Sequence, residues 1–278
     1  MNNAFIVALT ESHLKSGILD AEIHLSGFQV FRADRRDGIR KGGVVTYVKD
    51  FYARGLKVLT SGCNGSVEWL VLFLPVIQSV VINIYRPPTC EETLFLNTLR
   101  VVAEVIDGLG TPMPMIIMCG DYNFPNIKWN ENSIIHGGTL QLQRQAHSLI
   151  EFMDMYCLQQ LVSEPTGLQN ILDLFLTNYT ELITEIKIKQ VNISDHNLVL
   201  VGTSINLEKL SKSNDVQEGF ATLNYYHSSV DWLELNRELA EVQWNMCVGK
   251  PPPYVLDFLK RKLLTLCCKY VPKKQKIP

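Results

Sequence analysis

The chain has 278 residues, of which 46% are hydrophobic and 19% charged. That balance excludes an intrinsically disordered protein and leaves room for one sizeable α/β domain with an appendage. A formal net charge of −2 excludes a globally basic nucleic-acid binder, so any hold on nucleic acid has to come from a local strip. Seven cysteines (Cys63, Cys90, Cys119, Cys157, Cys247, Cys267 and Cys268) show no metal-ligand spacing and point to a reduced, intracellular compartment, nuclear or cytoplasmic. No stretch approaches the ~20 apolar residues of a membrane span. The apolar run 4–9 lacks a basic flank and reads as a strand rather than a signal peptide.

In chain order, strand-length apolar runs occupy residues 5–9, 44–48, 69–73 and 80–85, set off by Gly42-Gly43 and Pro87-Pro88. A helix is expected over 91–109, with Leu94, Thr98, Val101, Val102 and Val105 on one face and Glu91-Glu92 loading its first turn. The run 113–119 is a strand that Gly120 is expected to end, placing Asp121 on an exposed rim with Asn123 on the same side. A second helix over 140–156 spaces Leu142, Ala146, Leu149, Ile150 and Met153. Strands at 172–176, 183–191 and 198–201 follow. Interleaved strands and helices imply an α/β fold.

After Ser204 the character changes. Residues 208–219 are polar and read as a linker. Helices are expected over 230–243 and 254–270, split by Pro251-Pro252-Pro253; the second carries Leu256, Leu259, Leu263, Leu266 and Tyr270 at three- and four-residue steps. The organisation is thus a domain over 1–204 and a linker with helical extension over 205–278, closing on Lys273, Lys274 and Lys276.

The chemistry-bearing residues lie at strand ends. Asp121 can orient a water or protonate a leaving oxygen, and the Asn123 amide can face developing charge. As a bland reading, Gly-Asp-Tyr-Asn is turn chemistry. Asp173 inside an apolar run is costly to bury unless paired. Glu11 follows the first strand and offers oxygen to a hard cation; otherwise it is a surface acid. Tyr85 ends a strand where prolines follow, and most such tyrosines are core or rim aromatics. Asp195 and His196 precede the last strand, whereas His13, His24, His136, His147 and His227 have no comparable context. Arg86 reads as a solvated side chain.

Together, Cys119-Gly120-Asp121-Tyr122-Asn123-Phe124-Pro125 and Ser194-Asp195-His196 resemble the endonuclease/exonuclease/phosphatase superfamily over residues 5–201. Within it they are most similar to the apurinic-type endonuclease domain of non-LTR (LINE-type) retrotransposons. The resemblance implies a four-layered α/β sandwich: two mixed sheets flanked by helices, with the active site at one edge. It makes Glu11 and Asp195 metal ligands, Tyr85 a donor to a phosphoryl oxygen, Asp121 and Asn123 catalytic, and Asp173 the partner that orients His196. His196 would stabilise the pentacovalent phosphorus or activate water. Mg²⁺, with Mn²⁺ as a substitute, is the implied cofactor; DNA and a reverse transcriptase module of the parent polyprotein are the implied partners.

Two departures stand out. Gly167 follows Pro165-Thr166 where many relatives carry Arg, which removes a phosphate contact. The family's first strand, with its Asn, and the helix after it have no counterpart before residue 5; they are expected to be missing and activity to be reduced or absent. The leading expectation is a metal-dependent DNA endonuclease. The alternatives are a phosphatase or lipid phosphodiesterase of the same superfamily, and a catalytically dead fragment.

Overall fold

The computed structural model describes residues 4–35, 42–110, 113–129, 134–135, 137–167, 169–192, 194–205, 223–225, 227–242, 244 and 252–272. The linker expected over 208–219 lies outside them. The chain divides into two compact units, one of Met1–Leu109 with Pro114–Ile205, the other of Gly110–Met113 with Asn206–Pro278.

The first unit is built on a six-stranded mixed sheet. It contains β4 (Lys57–Cys63), β5 (Glu68–Leu74), β6 (Ser79–Tyr85), β7 (Met115–Asp121), β10 (Gln159–Gln160) and β11 (Asp173–Thr177), in the order β10-β11-β7-β6-β5-β4. Only β6 and β7 pair parallel. All seven residues of β6 are buried, which is why its run is apolar rather than alternating. A second, antiparallel sheet of β1 (Ile6–Thr10), β3 (Val44–Lys49) and β2 (Phe28–Ala33) lies against β5 and β6. Short β8 (Ile127–Lys128) and β9 (Ile134–Ile135) pair with each other. β12 (Ile183–Lys189) and β13 (Leu198–Thr203) form a separate antiparallel pair. Among the described residues β1 bonds to β3 alone and β13 to β12 alone, so each keeps an open edge.

Asn83, in the middle of β6 and fully buried, joins the two sheets. Its amide nitrogen donates to the carbonyls of Leu9 and Val45, both at 3.1 Å, and to Thr46 Oγ1 at 3.2 Å. A buried amide left unpaired would cost on the order of 1–3 kcal/mol, so this contact fixes which parts of β1 and β6 face each other.

Helices α1 (Glu92–Asp107) and α2 (Leu140–Met155) pack on each other. Both bury a face rotated from the one the spacing suggested. In α1 the buried residues are Phe95, Thr98, Leu99, Val102 and Ile106. In α2 they are Gln145, Ala146, Leu149, Phe152 and Met153. The larger rings of Phe95 and Phe152 decide the facing, because aromatic burial outweighs that of Val101 or Ile150. Five strands were not expected: the two-residue β8, β9 and β10, and the longer β2 and β4. β2 has Gln29 and Arg32 among its apolar residues, and β4 is a polar edge strand with a register shift between Val58 and Thr60.

Gly120 does not end its strand. β7 runs on to Asp121, and Gly120 has φ +128 within it; a Cβ there would lie 2.0 Å from the Ile84 carbonyl oxygen of β6. Only glycine permits that approach.

In the second unit α3 (Trp232–Glu241) starts at Asp231, whose side chain caps the Glu234 amide, and α4 (Pro252–Tyr270) opens on proline, where its fixed φ suits a first turn. The proline run therefore begins this helix rather than separating it from a later start at 254. Leu223, Leu235 and Val271 form its core, packed by Leu239, Leu264 and Tyr270.

Candidate active site

A single row of side chains crosses the main sheet at one end. Glu68 on β5 is the register partner of Tyr85 on β6, Tyr85 of Asp121 on β7, and Asp121 of Asp173 on β11. Register partners project from the same face of a sheet, so three acids and a phenol converge although 105 positions separate the first from the last (68 to 173). Asp121 is only 4% exposed. It is a buried terminal residue of β7, not the exposed rim residue expected.

The loop after Asp121 closes on the acid. Asn123 takes up φ +50, and in this conformation its main-chain N–H donates to Asp121 Oδ1 (3.1 Å) and its amide to Asp121 Oδ2 (2.7 Å). The same amide nitrogen donates to the Arg86 carbonyl at 3.0 Å. Both amide hydrogens are thus engaged, and what Asn123 does here is hold the carboxylate of Asp121. Burial, then the nearby charge of Asp173, push the Asp121 carboxyl up to about 7, against the opposing pull of His196 and Asn123.

His196 Nδ1–H donates to Asp173 Oδ2 at 2.7 Å. This bond, chiefly, and the charges of Asp173, Asp121 and Asp195 raise the imidazole to about 9 despite its burial. Thr166 prepares the pairing: its hydroxyl accepts from the main-chain N–H groups of Leu172 and Asp173 at 3.0 and 2.9 Å. Its carbonyl also accepts from Asn197 N. Gly167 bridges His196, and a Cβ there would sit 2.8 Å from Leu172 Cδ1 and 3.5 Å from the imidazole. A Cβ at 167 would press on the end of Leu172 and stand at ordinary contact distance from the ring.

On the other side, Glu11 follows β1 at φ +50 and accepts a hydrogen bond from the Tyr85 hydroxyl. Burial first, then that bond, move the phenol well above its usual range. The expected donor to a phosphoryl oxygen is here committed to Glu11. His13 Nε2 lies 3.7 Å from Glu11 Oε2. Asp195 is exposed, reaching the cluster through its charge on His196.

Sequence reading missed two arginines and one acid. Arg35 pairs with the fully buried Glu68 (Nη2 to Oε2, 2.9 Å) and lies 5.6 Å over the Tyr85 ring. Arg86, expected to be solvated, is 1% exposed. No pattern around Glu68 distinguished it, although an acid opening the apolar run 69–73 was a usable signal.

Ligand atoms of Asp121, Asp173 and His196 all lie within 4.8 Å of one another, and among the described residues they form the tight candidate cluster for a metal ion. The set fits a divalent cation. Two carboxylates oppose each other across the β7–β11 ladder, and one is held near 7 partly by their repulsion, a strain that a cation relieves. Glu11 and Asp195 are outside this trio.

Residues 79–200 match the model of a family described as endonuclease-reverse transcriptase. This segment carries Tyr85, Asp121, Asn123, Asp173, Asp195 and His196, and its match is to a family of the endonuclease/exonuclease/phosphatase type. Among solved structures the chain is similar to the endonuclease domain of TRAS1, a telomere-specific non-LTR retrotransposon. Identity is 16% and the TM-score 0.49, over 74% of this chain and 88% of that one. It is also similar to the AP endonuclease LMAP from Leishmania major (16% identity, TM-score 0.46, 70% and 77% covered). A third is the APE2 catalytic domain of Xenopus laevis (15%, 0.47, 73% and 84%). No curated protein matches the chain by sequence. No helix among the described residues is long and apolar enough to cross a membrane.

Proposed function

We propose that the chain is a divalent-metal-dependent phosphodiesterase that nicks duplex DNA, with residues 205–278 a linker and helical extension towards a reverse transcriptase module of the parent polyprotein. The row Glu68–Tyr85–Asp121–Asp173, completed by His196, carries this reading. The endonuclease-reverse transcriptase family match over 79–200 supports DNA as substrate.

At neutral pH His196, raised to about 9, is an imidazolium whose Nδ1–H is held by Asp173. Its Nε2–H is then the donor that meets a phosphoryl oxygen as charge develops. Asp121, near 7, has the affinity for a proton that suits a general base accepting it from an attacking water. Asn123 keeps that carboxylate in one orientation. The carboxylates of Asp121 and Asp173, with Glu11 after β1 and Asp195 before β13, are the residues that would hold Mg²⁺ or Mn²⁺. When bound, the ion offsets charge on the scissile phosphate and leaving oxygen.

The test is conversion of supercoiled plasmid to open circles by the full chain with Mg²⁺ or Mn²⁺, stopped by chelator, with polymerase extension reporting the 3′-hydroxyl. Metal-dependent nicks that prime extension are expected. Hydrolysis of a phosphomonoester without any nicking would replace this reading with a phosphatase.

A further inference from the structure

We infer that Arg86 is a positioning residue that locks the Asp121–Asn123 loop, acting on Asp121 through Asn123. The inference rests on the phosphodiesterase reading above and names a residue that this reading does not require.

Every residue of the loop is tied to Arg86. Its main-chain N–H donates to the Asp121 carbonyl at 2.9 Å, and its own carbonyl accepts from the Asn123 amide at 3.0 Å. Its Nη1 donates to the carbonyls of Tyr122 and Asn123, both at 3.1 Å. On the far side Nε donates to Gln145 Oε1 at 2.8 Å, and Nη2 bonds the same oxygen. Gln145 is itself fixed, its amide nitrogen donating to the Cys90 carbonyl at 2.9 Å. The rings of Phe124 and Phe95 flank the guanidinium at 4.2 and 5.7 Å.

Among the described residues these side-chain partners are all neutral. Removing a charge from water without a counter-ion is expensive, and an apolar replacement is often better for stability alone. The guanidinium is nevertheless suited to this place, because its planar fork bonds two carbonyls and an amide in its plane while its faces stack on rings. An ammonium cannot do both. What the fork maintains is the left-handed backbone of Asn123, a conformation that is costly for a non-glycine residue and persists only where surroundings over-determine it. Among the described residues, the bonds to Asp121 Oδ1 and Oδ2 come from Asn123.

Arg86→Lys keeps the charge and removes the fork. In the full chain with Mg²⁺ it is expected to lower kcat for plasmid nicking by about 10²-fold, the scale of a small misplacement at the reacting atoms, with KM unchanged. In NMR spectra the Asn123 side-chain amide protons, slow to exchange in the unaltered protein, should exchange like solvent-exposed ones. Gln145→Met, which leaves the main-chain contacts of Arg86 intact, should shift both readouts in the same direction by less, and serves where Arg86→Lys does not fold. A folded variant with undiminished kcat, or with Asn123 protons still protected, would overturn the inference. Absence of nicking by the unaltered chain would instead remove the functional reading, and Asn123 exchange would still decide the role of Arg86.

Discussion

Arg35 and Arg86 both adjoin the same row of side chains and solve the burial of a cation in opposite ways. Arg35 meets a carboxylate, Glu68, and although burial alone would lower its guanidinium, that partner's hydrogen bond and charge hold it above the ordinary value. Arg86 meets carbonyls, an amide and two rings, and burial lowers it to about 10. The first pair is held chiefly by charge, with one further bond from Arg35 to the Ser66 carbonyl, and lies against the Tyr85 ring. The second is anchored in main chain and fixes the wall that carries Asp121. A charge matched by a charge can be removed as a pair, whereas a charge matched by backbone cannot.

The sharpest break in this comparison comes from single and paired substitution. Arg35→Ala leaves Glu68 buried without its partner and should cost about 3–5 kcal/mol in denaturant unfolding, the range for breaking a buried ion pair. Arg35→Met with Glu68→Leu should recover most of that loss. Arg86→Met with Gln145→Leu should recover nothing, because the Tyr122 and Asn123 carbonyls stay in place without a donor. Equal recovery by both double variants would erase the distinction.

Asn83→Ala, which removes the amide joining β6 to the Leu9 and Val45 carbonyls, should destabilise by about 1–3 kcal/mol. It should weaken the Tyr85–Glu11 side more than the Asp121 side, read as faster amide exchange in β1 than in β7.

A further effect is one of pH. The raised values of Asp121, from 3.8 to about 7, and His196, from 6.5 to about 9, mean that both groups hold protons more tightly when folded. Their contribution is present below the ordinary values and is lost as pH rises through the raised ones. Thermal stability of the metal-free protein should therefore carry a downward component between 3.8 and about 9. In Asp121→Asn the part of it below about 7 should vanish; a variant that parallels the unaltered protein across that range would show that Asp121 has an ordinary affinity for its proton.

Much of this was legible in the sequence. Runs such as 80–85 and 115–119 announced buried strands because strands covered on both faces have no polar alternation; the Gly-Asp-Tyr-Asn piece sits where the second of them ends, and the Asp-His pair just before β13. β2 and β4 were obscured by Arg32 and Gln29, and by the polar edge residues Lys57, Thr60 and Ser61. Arg86 was misread because solvation is the usual fate of an arginine beside a strand end. Its acceptors are main-chain carbonyls 36 and 37 positions away and a glutamine 59 away, which no local pattern encodes. Glu68 joined the site only through register, a property of paired strands rather than of either run.

The most direct test of the account is the nicking rate of supercoiled plasmid, with Mg²⁺, by purified His196→Ala and Asp121→Ala chains that melt as cooperatively as the unaltered protein. Groups that move or hold a proton in the reaction commonly contribute ~10²–10⁴-fold, and each variant should lose rate on that scale. Undiminished nicking by either one would contradict the assignment of the Asp121–Asp173–His196 cluster as the reacting centre.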